Sequence, residues 1–162
     1  PRGLAGEIGH TFVAFRDLAD ASEEFGRGEL EDYAGRNAIE RRVLAADPAA
    51  AETLLGLRTD GRLKSKAWAE SLDLGDPLAR SLVDQARSAL AAAIATVIVL
   101  VDVEKVVLGG GFAERLGEEF RVELEAEVAQ RSFADTTAPI VAARLGDVGG
   151  ALGAALLVED RA

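Results

Sequence analysis

The sequence predicts an α/β domain in which a small sheet is covered by helices, and three observations carry that reading. Val106-Val107-Leu108-Gly109-Gly110-Gly111 reads as a short buried strand emptying into a glycine loop. Long stretches of helical spacing stand on both sides of it. A second β-prone segment, Pro139-Ile140-Val141-Ala142-Ala143, follows the downstream stretch, with its proline at the first position, where a missing N–H is tolerated. Helix, strand, loop, helix, strand, helix is the order of a helix-covered sheet. In open sheets of that kind ligands lie beyond the carboxyl ends of the strands, which is where Gly109, Gly110 and Gly111 fall. The next helix, from about residue 112, would aim its unpaired N–H groups and positive dipole end at the same spot. The loop fits neither G-x-G-x-x-G nor G-x-x-x-x-G-K-[ST], so on local grounds it is either a nucleotide site or an ordinary tight turn.

Taken in order, the first ten residues carry Gly3, Gly6 and Gly9, and Thr11-Phe12-Val13-Ala14-Phe15 then predicts a short strand beginning at or just before His10. Residues 16–28 read as a surface loop. Residues 30–44 read as one helix, with Leu30, Tyr33 or Ala34, Ala38 and Val43 on a charged background. Asp47-Pro48 is a start signal for a helix to about Gly56, and Thr59-Asp60-Gly61 breaks it. Residues 65–74 form a short helix carrying Trp68, expected in the core or an interface. Asp76-Pro77 repeats the start signal, and from it runs the longest element, with Leu78, Leu82, Ala86, Leu90, Ile94 and Ile98 four apart. Beyond Leu90 it is apolar nearly all round, which predicts a central buried helix. Leu116, Phe120, Leu124 and Val128 space another helix to residue 131. The small-residue stretch from Gly149 to Leu157 should press closely against the sheet or the central helix, with Asp147 as its cap or as a polar contact near a nucleotide. Arg41 and Arg42 read as a solvated helix face. Only three strands are predicted, few for a freestanding α/β domain, so part of the sheet is expected from residues upstream.

Composition narrows the function. The 162 residues fit one domain with a real core, and 49% hydrophobic content predicts a folded chain. With no cysteine, thiolate catalysis, disulfides and cysteine-held metal are excluded. With no methionine, the chain reads as a fragment or a processed form. Its 18 Lys and Arg stand against 28 Asp and Glu, a net charge of −10, which argues against nucleic-acid binding by this segment. The longest apolar run, residues 89–101, has 13 residues and is too short to span a bilayer. A soluble, cytoplasmic protein without membrane contact is the expectation.

Four segments then occur in register: Ala5-Gly6-Glu7-Ile8-Gly9-His10; Gly28-Glu29-Leu30-Glu31-Asp32-Tyr33-Ala34-Gly35-Arg36; Val106 to Gly111; and Leu145-Gly146-Asp147-Val148-Gly149-Gly150-Ala151-Leu152-Gly153-Ala154-Ala155. The set resembles the carboxyl-terminal half of the ROK family, bacterial sugar kinases, glucokinases above all, and sugar-responsive repressors. The resemblance covers residues 3–157 and is weakest over 44–77. It implies an actin-like ATPase (ribonuclease H-like) domain, with a sugar-contact segment at 1–36, a helical insert at 37–77, and a central helix plus nucleotide-binding segment at 78–162. It implies Glu7 and Glu31 as sugar-hydroxyl ligands, His10 as a sugar contact that in relatives also ligates a structural zinc, and Gly109, Gly110 and Gly111 as the adenosine shelf. By the residues alone, His10 is equally a strand-start histidine satisfied by a carbonyl, and Glu31 part of a solvated acidic stretch with Glu29 and Asp32.

Where most relatives carry Cys-x-Cys-Gly-x-x-Gly-Cys, this chain has Glu24-Phe25-Gly26-Arg27-Gly28-Glu29, about one residue shorter. One histidine does not make a tetrahedral zinc site. Zinc is therefore expected to be absent, with the loop ordered by packing, for instance of Phe25, or left mobile. The expected activity is phosphoryl transfer from ATP with Mg²⁺ to a hexose, glucose above all, by a homodimer. The general base and most phosphate contacts would come from a domain upstream, which leaves the fragment alone inactive. The rivals are the effector domain of a sugar-sensing repressor, which keeps the sugar ligands but need not bind ATP, and a degenerate scaffold that binds neither.

Overall fold

The structure is a computed structural model and describes residues 6–14, 26–133 and 138–159. Seven helices and a two-stranded parallel sheet are formed among them. A 3-10 turn, Ile8–His10, opens the described chain. Helices α1 (Leu30–Ala34) and α2 (Arg36–Ala45) follow, then α3 (Glu52–Gly56) and α4 (Ser65–Asp73). The longest helix is α5 (Pro77–Val101). After it come strand β1 (Val106–Leu108), α6 (Gly111–Arg131), β2 (Ile140–Ala142), a 3-10 turn at Gly146–Val148, and α7 (Gly149–Glu159).

Helix α5 is the axis of the fold. Its start is chemically determined: Asp76 Oδ1 accepts the N–H of Ala79 at 2.7 Å, and Pro77 occupies the first turn, where its missing N–H has no partner to lose. Leu82, Val83, Ala86, Ala91, Ile94 and Ile98 are all buried and join Phe120, Leu124 and Val128 of α6 in one core. By length and hydropathy this 25-residue helix could cross a bilayer, although its longest uninterrupted apolar run is shorter; half of its apolar window is buried against other elements. Its small residues matter on a second face. Ala89 and Ala93 let α1 approach closely enough to bury Leu30, with Val13 and Tyr33 packed around them. That contact sets the α1 backbone, and with it the 26–36 segment, against the rigid centre of the molecule.

Charge locks α5 to α6. Arg87 donates to Glu127 at 2.7 Å and Glu123 at 2.6 Å on α6, and to Asp84 one turn back at 2.8 Å. Glu127 also accepts from Ser88 and pairs with Arg131. Strand β1 lies parallel to β2 with Val106 opposite Ile140 and Leu108 opposite Ala142. Arg121 of α6 donates to the Ile140 carbonyl at 2.6 Å, and Glu125 accepts the Ile140 N–H at 3.2 Å, which clamps the sheet to the helix.

Several expectations are corrected. The strand foreseen at 11–15 is no strand over its described part: His10 ends a 3-10 turn, and Phe12 makes only an isolated antiparallel bridge with Glu29. The single helix foreseen over 30–44 is two, because Gly35 is extended (φ −70°, ψ 133°) and Glu31 fills the space beside it. The Asp47-Pro48 signal caps a turn, Asp47 Oδ1 accepting from Ala49 at 2.8 Å, and α3 begins only at Glu52. Arg41 is exposed as expected, but Arg42 is half-buried: it donates to Gln85 of α5 and lies 5.7 Å from the centre of the Tyr33 ring. Helix α7 does not press on sheet or central helix: residues 151–156 are exposed, and it packs mainly on the 3-10 turn before it. Close approach by small side chains needs a facing surface, and no described element supplies one. Phe25 and the Asp147 side chain lie outside what is described. Trp68 is in the core, 3% exposed.

Candidate functional site

Two groups of residues make up the candidate site. The first is built on the α1 segment and the 3-10 turn. Glu7 precedes that turn and is exposed, as are His10 and Glu31. Glu31, on the first turn of α1, places its carboxylate between the two chain segments: a Cβ at Gly9 would stand 3.3 Å from Oε2, and one at Gly35 2.5 Å from Oε1. His10 Nδ1 meets Glu29 Oε2 at 3.0 Å, with the imidazole 68% exposed and Glu29 17% exposed. The hydrogen bond to Glu29 and its charge, with further pull from Glu7 and Glu31, raise the His10 pKa above the ordinary 6.5. Glu7, His10 and Glu31 therefore share one electrostatic neighbourhood.

The second group is the glycine loop. Gly109, Gly110 and Gly111 are exposed at the carboxyl end of β1, and Gly110 is the N-cap of α6 at φ 99° and ψ 147°, a conformation that strains any residue with a Cβ. A Cβ at Gly110 would meet nothing within 4 Å, whereas one at Gly109 would stand 3.0 Å from the Ala143 Cβ, so the ledge is open at Gly110 and backed by a side chain at Gly109. Next to it lies a cavity of about 200 Å³ walled by Leu108 and Ala142 at the strand ends and by Ala113, Glu114 and Gly117 of α6. Gly117 (φ 74°, ψ −160°) interrupts α6, so the first turns tilt away and leave that space.

An aromatic contact at the start of α6 was not foreseen. Trp68 of α4 and Phe112 of α6 meet edge to face, 5.9 Å between ring centres. With Ala34, Arg36, Ile39 and Ser65 they line a small cavity of about 40 Å³ that joins the α1–α2 junction to the start of α6. Arg36 and Ser65 stand at the first turns of α2 and α4. No sequence period links them to Gly111; only the packing of the helical insert does.

Glu29 and Asp32, read from sequence as a solvated acidic stretch, are structural instead. Asp32 Oδ2 accepts three successive backbone N–H groups, from Arg27 at 2.7 Å, Gly28 at 2.8 Å and Glu29 at 2.9 Å. An acidic residue three positions after an N-cap is a capping signature, and it was available in the sequence. The residues do not fit the structural zinc that the resemblance implies for relatives. The chain has no cysteine to supply the thiolates of such a site, and the Asp32 carboxylate is engaged by the amides of Arg27, Gly28 and Glu29. Among the described residues, no three His, Asp or Glu side chains are placed to hold a metal.

Comparison with known proteins gives the family. The chain is 33% identical over 135 residues to the C(7)-cyclitol 7-kinases of Streptomyces hygroscopicus subsp. limoneus and subsp. jinggangensis, covering 79% of this chain and 38% of theirs. Among solved structures it is similar to the ROK hexokinase of Thermus thermophilus (29% identity, TM-score 0.72, 98% of this chain and 50% of that one). It is also similar to a ROK family glucokinase of Streptomyces griseus solved with glucose and AMPPNP (26% identity, TM-score 0.67, 94% of this chain and 51% of that one). The chain thus spans about half the length of the two solved kinases and less of the cyclitol kinases, and the two solved kinases share its actin-like ATPase fold. The ROK family model matches residues 1–161, end to end through the histidine turn, the α1 segment and the glycine ledge, and the chain belongs to the ROK family.

Proposed function

We propose that these 162 residues are the sugar-holding and nucleotide-facing half of an ATP-dependent sugar kinase. The observation that carries the reading is the gathering of Glu7, His10 and Glu31 in one exposed, negatively charged neighbourhood, in a chain that also carries a glycine ledge open at Gly110. Carboxylates accept hydrogen bonds from sugar hydroxyls, and a histidine carrying a proton donates one, so the three together can hold a polyhydroxylated ring in one orientation. A bare backbone at Gly109, Gly110 and Gly111 lets a flat adenosine approach, and the first N–H groups of α6 face the same side. Phosphoryl transfer needs positioning and charge stabilisation more than covalent chemistry, which suits a site of this make-up.

Neither Glu7 nor Glu31 takes the part of general base in this reading; both are positioning groups. We assign the base, the Mg²⁺ contacts and most phosphate contacts to the remainder of the kinase, since the solved relatives are about twice as long. The chain on its own is then inactive. Glucose is the substrate we favour, because the sugar site resembles that of glucokinases. The 33% identity to cyclitol kinases favours a second reading, a C7-cyclitol in the same place. Kinase relatives at 33% and 29% identity support an enzyme over the repressor alternative. We place the protein in the cytoplasm, where ATP is available, as a homodimer; exposed Val99, Leu100 and Phe133 offer apolar surface for association.

Calorimetric titration of the full-length protein with glucose, a C7-cyclitol and AMPPNP, beside a coupled assay for ADP release, tests the reading. Heat for AMPPNP and for one of the two ring substrates, with turnover, is expected. Sugar heat without nucleotide heat would return the repressor reading, and heat for neither would leave a scaffold.

A further inference from the structure

We propose that Asp32 is the positioning residue of the sugar site, one carboxylate that folds the sugar-facing loop where relatives use a metal, and that sugar binding is consequently independent of zinc. The sugar part rests on the kinase reading above; the folding part does not. Three consecutive amides, those of Arg27, Gly28 and Glu29, converge on Asp32 Oδ2 at 2.7, 2.8 and 2.9 Å. Three charge-assisted bonds to one oxygen fix the path of a loop that has no regular secondary structure. The loop also closes tightly around that carboxylate. Gly26 sits at φ +63°, and a Cβ there would lie 1.9 Å from Asp32 Oδ1, so no side chain fits.

What the loop holds in turn is the histidine turn. The Gly28 carbonyl accepts the N–H of Val13 at 2.9 Å and of Ala14 at 3.2 Å, Leu30 N–H donates to the Thr11 carbonyl at 2.9 Å, and Glu29 receives His10 Nδ1 at 3.0 Å. Asp32 is thereby connected to His10 through the 27–29 backbone, and it is the immediate chain neighbour of Glu31. Release of its carboxylate would loosen the loop, the Glu29–His10 pair and the registry of the 10–14 segment together. Helices α5 and α6 and the glycine ledge make no use of it.

The test compares full-length wild type with Asp32→Asn and, as a second route to the same loosening, Gly26→Ala, which keeps the carboxylate and blocks the loop from closing on it. Hydrogen exchange at the amides of 27–29, glucose affinity, AMPPNP affinity and the effect of 1,10-phenanthroline are read on each. In both variants exchange at 27–29 should accelerate tenfold or more, about the loss of one charge-assisted hydrogen bond, while α5 and α6 stay protected. Glucose affinity should fall by a similar factor with AMPPNP affinity within about twofold of wild type. Phenanthroline should leave wild-type glucose affinity unchanged. Unaltered exchange at 27–29 in both variants, or equal losses of glucose and AMPPNP affinity, would overturn the assignment, as would loss of glucose binding on chelation. A wild type that binds no sugar defeats the kinase reading alone; the exchange result still decides what Asp32 does.

Discussion

The α5–α6 core and the loop around Asp32 are held by different physics. The core is a matter of apolar volume: Leu82, Ile94, Leu124 and Val128 are buried by spacing of three and four along two helices, and no single contact is decisive. The loop leans on one small apolar contact, Leu30 against Ala89 and Ala93 of α5, and is otherwise polar. It is a chain of discrete hydrogen bonds from Gly26 through Asp32 and Glu29 to His10, each with one donor and one acceptor. Damage to the first should spread over global stability, and damage to the second should stay in the site.

The largest expected effect tests the first half of that contrast. Leu124 is fully buried between α6 and α5, so Leu124→Ala should cost about 2–5 kcal/mol through lost burial and the cavity left behind. Urea denaturation measures it. Sugar and nucleotide affinities under folding conditions should change little; a selective loss of sugar affinity would mean that core and loop are not separable. Next is the ledge. Gly110→Val places a β-branched residue at φ 99°, a strain of about 1–3 kcal/mol, and the added side chain projects into the open ground where nucleotide would lie. AMPPNP affinity should fall tenfold or more with glucose affinity kept. Equal losses would count against the ledge as a separate nucleotide surface.

A third change probes where the two kinds of physics mix. Arg87 joins α5 to α6 through Glu123 and Glu127, and its side chain is only 14% exposed while Glu123 is 39% exposed. Arg87→Met should cost about 1–2 kcal/mol, less than a fully buried ion pair because the carboxylates remain partly solvated. Replacing Glu123 with Gln as well should cost less than the sum of the two single changes, since they share a contact.

The same contrast explains what could be read in advance. The start of α5 at Asp76-Pro77, its apolar stripe, β1 and the glycine loop are written in adjacent residues or in a single period and lie where expected. But β1 is not the buried strand foreseen, with Val107 exposed, and the end of α5 is not buried all round, with Val99, Leu100 and Val101 exposed. The split at Gly35 is not written locally, because the apolar spacing of 30–44 continues across it; the break comes from Glu31 packing against that glycine. His10 and Glu29 are 19 residues apart, and nothing local pairs them. The 11–15 segment has strand-forming residues, yet its described part finds a partner only at one bridge. Period and caps report elements; long-range polar partners, which make up most of the site, have no such signature. Glu7, His10 and Glu31 came from family resemblance, and their roles as ligands stand as part of the proposal.

The smallest effect is one of pH, and it reads the polar chain at its outer end. The His10 pKa is raised above 6.5, first by its hydrogen bond to Glu29, then by the charge of Glu29 with help from Glu7 and Glu31. A cationic group with a raised folded-state pKa contributes its stabilisation fully below its unfolded value and loses it as pH rises through the folded value. The pair should therefore be intact below about pH 6.5 and fade above the raised midpoint, the opposite direction to a carboxylate held by an arginine. Titration of the His10 imidazole by NMR, assigned with His10→Asn, should show a midpoint above 6.5 that moves down in Glu29→Gln. Glucose affinity in the wild type should weaken across the same interval, and in Glu29→Gln that dependence should shift to lower pH. An unshifted His10 midpoint in Glu29→Gln would detach the histidine from the loop, and with it the last link between Asp32 and the sugar.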